Sequence, residues 1–290
     1  MRFALYHLES FFFSLLSKAL LYYSPAFGKN ALKIYDGSSK IESFLSKGCE
    51  VSNLSIVVHN ISKSFQKQTV LFDLSLEARE NEIVGLIGPS GAGKTTLIRL
   101  ITGAIPADKG EIFIDSVLVP KMSLFAQIGF MPQADALYPD LSGLDNLMFF
   151  GRLYGLTGKQ LMNRAVELLA FIDLLADKDK LVFNYSGGMK KRLSLIIALL
   201  HEPPYLILDE PTVGIDPVLR KKIWDYFRVL AKNGKTLVIS THVMDEAESC
   251  DKCALIYQGR LLAFDTVSNL KASTKSDRLE ELFFNASQVA

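Results

Sequence analysis

Three short segments in the middle of the chain have the apolar patterns of strands. Residues 70–78 alternate apolar and polar side chains, which predicts a half-buried antiparallel strand. Residues 83–87 and 205–208 are apolar almost throughout, which is typical of parallel strands that are covered on both faces. Further strands are expected at 54–59, 111–114, 127–131, 236–240, 254–257 and 261–264.

Between these strands the apolar residues recur every three or four positions, as on helices. One helix is predicted with Leu147, Phe150 and Leu153 on a shared face. A second helix is expected to use Leu161, Val166, Leu169 and Ile172. A third opens near Ser186 and ends before Pro203, and a fourth covers 218–231. Strands that alternate with helices indicate an α/β fold, preceded by an antiparallel part.

The first fifty residues have a different character. Residues 3–23 are rich in Phe and Leu, but their longest uncharged run is too short for a spanning helix. One narrow polar stripe at helical spacing comprises His7, Ser10, Ser14 and Ser17. This pattern fits an interfacial helix on a membrane or on a membrane partner, an extension that packs on its own domain, or a secretory signal. We therefore predict an extension at 1–52, a compact domain at 53–270 and a helical tail at 271–290.

Composition limits the classes of function only weakly. The chain has 290 residues, 49% hydrophobic residues and a net charge of +1, so no global basic surface for nucleic acid is expected. Three cysteines are too few for a disulfide framework and favour a reducing compartment. Cys250 and Cys253 form a lone CxxC pair, which we interpret as incidental because zinc would need four ligands.

Residues 88–95, Gly-Pro-Ser-Gly-Ala-Gly-Lys-Thr, match the phosphate-binding P-loop pattern. The loop follows a predicted strand and precedes a predicted helix, which is the context that the motif requires. Glycines allow backbone N–H groups to point inward, and a helix N-terminus adds a favourable dipole for anions. Lys94 is expected to reach the β- and γ-phosphates, and Thr95 to bind Mg²⁺.

A pair of acids follows the apolar segment 205–208. Asp209 and Glu210 come directly after it, where carboxylates are needed beside a P-loop. Asp209 is predicted to support Mg²⁺, and Glu210 to polarise an attacking water.

The segment 184–189, Asn-Tyr-Ser-Gly-Gly-Met, resembles the signature motif of ABC ATPases. Other motifs follow that family's order. Gln133 resembles the Q-loop glutamine, residues 214–217 the D-loop, His242 the switch histidine, and Phe65 the aromatic residue that stacks on adenine. The resemblance covers residues 54–284. It implies a P-loop NTPase core of ABC type, with an antiparallel β subdomain and a helical signature subdomain at about 134–190.

The resemblance also implies the roles of individual residues. Glu210, His242, Gln133 and Lys94 are expected to be catalytic, and Thr95, Gln133 and Asp209 to bind the metal. The residues expected to bind ATP are Phe65, Gly88, Pro89, Ser90, Gly91, Ala92, Gly93, Lys94, Thr95, Thr96, Gln133, Asp209, Ser186, Gly187 and Gly188. In this family two such domains, here expected as a homodimer, enclose ATP between the P-loop of one and the signature of the other.

Further features resemble the ATP-binding subunits of drug, antibiotic, polysaccharide and lipid exporters. These features are Tyr185, Met189 and the segments 137–141, 145–147 and 149–156. The resemblance implies a separate membrane permease and a peripheral position at the cytoplasmic face of a membrane, with no nucleic acid as partner. Alternatives are an importer ATPase, a soluble ABC ATPase that acts on nucleic acid or the ribosome, and a non-catalytic nucleotide-binding module.

Overall fold

A computed structural model of the chain describes residues 54–274, 279, 281 and 282. The predicted extension at 1–52 and most of the predicted tail lie outside these residues, so their boundaries and their interpretation stay predictions. In the described part of the chain, no helix combines the length and the apolar character needed to cross a bilayer.

An antiparallel sheet is built from four strands in the order β2-β1-β4-β5. Its strands are β1 (Leu54–Phe65), β2 (Gln68–Arg79), β4 (Lys109–Ile114) and β5 (Val117–Leu118). In β2 the buried and exposed residues alternate over most of the strand, which confirms the half-buried strand predicted at 70–78.

A second sheet has six strands in the order β10-β9-β3-β8-β7-β6. Its members are β3 (Ile83–Ile87), β6 (Ile128–Met131), β7 (Tyr205–Asp209), β8 (Thr236–Thr241), β9 (Lys252–Tyr257) and β10 (Arg260–Thr266). All neighbouring pairs are parallel except β9 with β10. Every residue of β3, β7 and β8 is buried, as expected for central parallel strands.

Seven α-helices lie in the described chain. They are α1 (Lys94–Ile101), α2 (Gly143–Leu153), α3 (Gly158–Phe171), α4 (Gly187–Leu199), α5 (Pro217–Lys232), α6 (Met244–Ala247) and α7 (Val267–Ala272). Short 3-10 turns cover Met122–Gln127, Leu175–Asp177 and Val182–Asn184.

The six-stranded sheet separates two hydrophobic clusters, because successive residues of a strand point to opposite faces. On one face, Val84 and Leu86 of β3 pack in a cluster with α1 and the antiparallel sheet. On the other face, Ile83 and Ile87 belong to a cluster that includes residues of α2 to α5. The sheet is therefore held between an antiparallel layer and a helical layer.

One predicted helix face was partly wrong. Leu147 and Phe150 of α2 are buried, but Leu153 is 56% exposed. A step of three residues turns a helix by about 300°, so three such positions drift steadily around it. The buried face of α2 instead combines Asn146, Leu147, Phe150 and Gly151, which follows steps of both three and four.

Candidate functional site

The parallel strands of the large sheet bring the predicted catalytic residues to one edge. The P-loop, residues 88–95, follows β3, His242 follows β8, and Gln133 lies two residues beyond β6. Asp209 ends β7 and Glu210 comes directly after it. Because β6, β7, β8 and β3 are parallel, their carboxyl ends lie together, which is where ligands bind in open α/β sheets.

Two glycines of the P-loop occupy positions where a side chain would collide with its surroundings. A Cβ on Gly88 would lie 2.2 Å from the carbonyl oxygen of Ile256. Gly93 has a left-handed φ of 105°, and its Cβ would lie 2.6 Å from Cδ2 of Leu71. Glycine is therefore required at both positions for the loop to keep this path.

The N-terminus of α1 is suited to phosphate oxygens. Gly93 is its N-cap and offers no side-chain hydrogen bond to the first N–H groups of the helix. Pro89, Ser90 and Gly91 are exposed, and Thr95 and Thr96 are half-buried at the helix start. Free N–H groups together with the helix dipole form an anion site, so these residues fit the triphosphate that the motif predicts.

Lys94 is buried at the base of the P-loop. Its Nζ donates hydrogen bonds to the carbonyl oxygens of Gly88 at 2.7 Å and Pro89 at 3.0 Å. Burial lowers the pKa of Lys94, although the charges of Glu210 and Asp209 act in the opposite direction. The ammonium therefore lies close enough to both carboxylates to sense them, beside the predicted phosphate position.

Glu210 has the backbone conformation of a strained residue. Its φ is +53°, a left-handed value that costs a non-glycine residue roughly 1–2 kcal/mol. Its N–H group donates to the backbone oxygen of Ser240 at 3.1 Å and to the Ser240 hydroxyl at 3.0 Å. These bonds to β8 fix the point where the chain leaves β7, and strain of this kind is common at functional sites.

The carboxylate of Glu210 joins the side chains that follow three neighbouring strands. Nδ1 of His242 lies 2.8 Å from its Oε1, and Nε2 of Gln133 donates to its Oε2 at 3.2 Å. Burial raises the pKa of Glu210, but the hydrogen bonds from His242 and Gln133 and the charge of Lys94 outweigh burial and lower the pKa below its ordinary value. The group is therefore an ionised acceptor at neutral pH.

Asp209 is the second acid of the pair and is 1% exposed. Its Oδ1 accepts a hydrogen bond from the Ser240 hydroxyl, which leaves Oδ2 for another partner. Among residues 54–274, 279, 281 and 282, no three His, Cys, Asp or Glu side chains cluster as a metal site. One carboxylate with a hydroxyl such as that of Thr95 still fits Mg²⁺, which usually keeps several waters and phosphate oxygens as ligands.

The signature residues lie at the start of α4 and face outward. The Ser186 hydroxyl accepts from the N–H group of Met189 at 3.3 Å, so Ser186 is the N-cap of this helix. Within the described chain, a Cβ on Gly187 would meet nothing within 4 Å, and one on Gly188 would meet only the carbonyl oxygen of Gly214, at 3.6 Å. The signature thus lies beside the predicted D-loop, with its helix N-terminus open.

Phe65, the predicted adenine-stacking residue, ends β1 and is 44% exposed. The Nζ atom of Lys63 lies 5.6 Å from the centre of its ring and is paired with Asp108 at 2.7 Å. Asp108 also accepts from the N–H group of Ser64 at 2.7 Å. The end of β1 is therefore tied to the loop before β4, and the aromatic ring remains open to a ligand.

The CxxC pair lies at the start of β9. Cys250 and Cys253 are both buried and free, and a Cβ on Gly85 of β3 would meet both sulfur atoms within 4 Å. A hydrogen bond with Cys253 and burial raise the pKa of Cys250 well above its ordinary value. A buried thiol with a raised pKa is unreactive, which agrees with the interpretation of the pair as incidental.

Sequence reasoning missed three residues that shape the site: Ser240, Glu246 and Asp108. Ser240 contacts both acids, while Glu246 binds residues next to Glu210 and His242. Each of them has at least one partner more than 30 positions away, so no local pattern marks it.

Comparison with known proteins agrees with this geometry. The family model for ABC transporters matches residues 71–213. The linearmycin resistance ATP-binding protein LnrL of Bacillus subtilis is 39% identical over 226 residues, which are 77% of this chain and 73% of that protein. The Nod factor export ATP-binding protein I of Paraburkholderia xenovorans is 39% identical, with 77% and 74% covered.

Solved structures of ATP-binding subunits also resemble this chain. An ATP-binding subunit of an ABC transporter superposes with a TM-score of 0.74 and 28% identity, over 80% of this chain and 99% of that chain. The ATP-binding cassette MJ0796, a dimer in a post-hydrolysis state with ADP and Pi, gives a TM-score of 0.68 and 25% identity, over 73% and 98%. The family match, the relatives and the residues at the carboxyl edge of the sheet agree, and the chain therefore belongs to the ABC transporter family, as an ATP-binding and ATP-hydrolysing subunit.

Proposed function

We propose that this subunit binds Mg²⁺-ATP between two copies of itself and uses hydrolysis to drive export through a separate membrane-spanning partner, at the cytoplasmic face of a membrane. The contact of Glu210 with His242 and Gln133 carries the catalytic part of the proposal. It joins side chains that follow β7, β8 and β6 in one arrangement, as a site for in-line attack by water requires.

Glu210 acts as the general base. Its carboxylate is ionised, 9% exposed, and held on both oxygens by side-chain contacts with His242 and Gln133. An attacking water donates its proton to this carboxylate as the oxygen approaches the γ-phosphate. His242, whose side chain is 40% exposed, orients the carboxylate from the open side of the site.

The P-loop holds the phosphates of ATP during the attack by water. The N–H groups at the start of α1 and the ammonium of Lys94 bind their oxygens. Thr95, Asp209 and Gln133 are the residues that would hold Mg²⁺. When bound, Mg²⁺ neutralises phosphate charge and supports the leaving oxygen.

The signature supports a site shared between two copies. Ser186, Gly187 and Gly188 present a hydroxyl and free N–H groups at the open end of α4. In the proposed dimer these groups bind the γ-phosphate held by the P-loop of the other copy. The related cassette MJ0796 is dimeric, which supports this arrangement.

Export is supported by the relatives. The two relatives described above act in linearmycin resistance and Nod factor export, each at 39% identity. Gln133 and the helices α2 and α3 would sense the membrane partner, so that closure on ATP changes the access of the transported molecule.

The substitution Glu210→Gln tests the catalytic proposal. The amide keeps the shape of the carboxylate and one of its two acceptor oxygens. It cannot take a proton at neutral pH. We expect ATP to bind with a dissociation constant close to that of the native chain, and phosphate release to fall about a hundredfold or more. Binding is measured by equilibrium dialysis and hydrolysis by phosphate release.

The matched control is Glu80→Gln, because Glu80 is exposed in the turn before β3. This variant should leave the dissociation constant for ATP and the rate of phosphate release unchanged. Hydrolysis by Glu210→Gln at the native rate would show that another group accepts the proton.

A further inference from the structure

Glu246 is a buried carboxylate with a hydroxyl bonded to each oxygen. The residue is 3% exposed. The Thr212 hydroxyl donates to its Oε1 at 2.6 Å, and the Thr241 hydroxyl donates to its Oε2 at 2.6 Å. Both threonines have no exposed surface. Burial of a charged group is costly unless it is hydrogen-bonded, and here the two hydroxyls supply those bonds.

The two threonines belong to the two segments that carry the catalytic residues. Thr212 lies two residues after Glu210, and Thr241 directly precedes His242. The Thr241 hydroxyl donates a hydrogen bond to Glu246 and accepts one from the N–H group of Val243 at 3.0 Å. The chain on both sides of His242 is therefore connected to the same carboxylate.

The pairing of β7 with β8 does not reach Thr212 or Thr241. The pairing of β7 with β8 ends at Asp209 and Ser240, and the last backbone bond is from Glu210 to Ser240. Beyond this point β7 has ended and Glu210 takes its left-handed φ, while Thr241, the last residue of β8, pairs only with Ile87 of β3. Another contact is needed to hold the segment after Glu210 and the segment around His242 at a fixed distance. The Glu246 carboxylate provides it, by accepting hydrogen bonds from Thr212 and Thr241.

We propose that Glu246 is a positioning residue, which holds Glu210 and His242 at hydrogen-bond distance by tying Thr212 and Thr241 to one carboxylate. It acts through these threonines and does not touch the nucleotide. This inference rests on the proposed function, because it assigns a purpose to the contact between Glu210 and His242.

Isosteric substitutions test the connection. Thr241→Val and Thr212→Val remove one hydroxyl each, and Glu246→Gln replaces one acceptor oxygen by an amide donor. We expect kcat for ATP to fall about tenfold to a hundredfold in each variant, with KM changed less than about twofold, because only the catalytic pair is displaced. The variants Thr241→Ser and Thr212→Ser keep the hydroxyl and should recover most of the native kcat.

A double substitution tests whether these residues act as one unit. In the Glu246→Gln background, Thr241→Val should lower kcat much less than it does alone, because the bond that it removes is already disturbed. If the two losses multiply as independent effects, the threonine acts by some other route and the proposal is wrong.

The matched control is Thr236→Val. Thr236 lies on the same strand as Thr241 at its opposite end, is 1% exposed, and donates to the carbonyl oxygen of Arg79 at 3.2 Å. It should lower the melting temperature but keep the native kcat. If Thr241→Val and Thr212→Val also lower only the melting temperature, the carboxylate merely stabilises the fold and the proposal is overturned.

The same experiments separate this inference from the proposed function. Loss of hydrolysis in Glu210→Gln together with native kcat in the threonine variants overturns only the positioning role. Native hydrolysis in Glu210→Gln overturns the general base, and with it the reason for positioning Glu210.

Discussion

Asp108 shows how one exposed charge can fix the end of a strand. Its carboxylate is 43% exposed, yet it bonds both Nζ of Lys63 and the N–H group of Ser64 at 2.7 Å. The bond from Lys63, followed by that from Ser64, lowers the pKa of Asp108 below its ordinary value. The ionised form therefore supports the segment that ends in Phe65.

We expect Asp108→Asn to destabilise the protein slightly and only where the native group is ionised. A lowered pKa means that the stabilisation is complete above the unfolded value of about 3.9 and is lost as the pH falls through the folded pKa. The free energy of unfolding in urea should be lower in the variant at pH 7 by no more than about 1 kcal/mol, since the Asp108 side chain is solvent-exposed.

The difference in the free energy of unfolding between Asp108→Asn and the native protein should stay constant from pH 7 to pH 5. It should then become smaller on further acidification. Asp225→Asn is the control, because its partner Lys221 and Asp225 itself are 78% and 60% exposed on one helix. A difference for Asp108→Asn that widens as the pH falls would contradict the assignment.

Motif residues were predictable one at a time, because their chemistry is tied to local sequence. Gly88, Gly93 and Lys94 follow from the needs of a phosphate loop, and the structure gives those glycines no room for a side chain. Glu246 and Asp108 were not predictable, because Glu246 bonds Thr212 from 34 positions away and Asp108 bonds Lys63 from 45. No spacing rule of a helix or a strand reaches so far.

At the scale of elements, the N-caps of α2 and α3 differ. The Ser142 hydroxyl accepts the N–H group of Asp145 at 3.0 Å and donates to that residue's carboxylate at 2.6 Å. Thr157, at the same position of α3, makes no such side-chain bond. Of these two N-cap residues, Ser142 accepts a hydrogen bond from an N–H group that its helix leaves unpaired, and Thr157 does not.

We expect Ser142→Ala to lower the free energy of unfolding by about 1 kcal/mol, the usual cost of a lost N-cap. The loss should be visible in urea unfolding followed by circular dichroism. Thr157→Ala is the matched control and should change stability by only a few tenths of a kcal/mol. Equal losses in the two variants would mean that the cap bond of Ser142 contributes nothing specific.

The elements themselves were largely predictable. β3, β7 and β8 were expected from their apolar runs and occur at 83–87, 205–209 and 236–241. The exposure of Leu153 was not predicted correctly. A spacing of three residues alone does not say how far the buried face extends around a helix. That limit is set by the neighbours of α2, which include α3 and α4.

At the scale of the whole molecule, the proposed sharing of a site between two copies can be tested by mixing two inactive variants. Lys94→Ala damages the P-loop side of a site, and Ser186→Arg blocks the signature side. Each variant alone should be nearly inactive. A one-to-one mixture should recover up to about a quarter of the native ATPase rate, since half of the dimers are mixed and each has one intact site.

Phosphate release by the mixed variants measures this recovery. In the control, the Lys94→Ala variant is mixed with a chain that carries both Lys94→Ala and Ser186→Arg. No intact site can form in that mixture, so it should stay inactive. A Lys94→Ala and Ser186→Arg mixture that is no more active than its components would mean that each copy works with its own signature.

The sequence alone predicted the class of chemistry, the order of the strands and helices, and most of the residues proposed for the site. It could do so because apolar periods and phosphate-binding loops are local properties of the chain. Which of these groups lie in contact depends on the tertiary fold. Parallel pairing of β6, β7, β8 and β3 places Gln133, Glu210, His242 and Lys94 at one edge. Glu246 connects the loop after β7 to the end of β8. Such contacts depend on strand order in space, which differs from strand order along the chain.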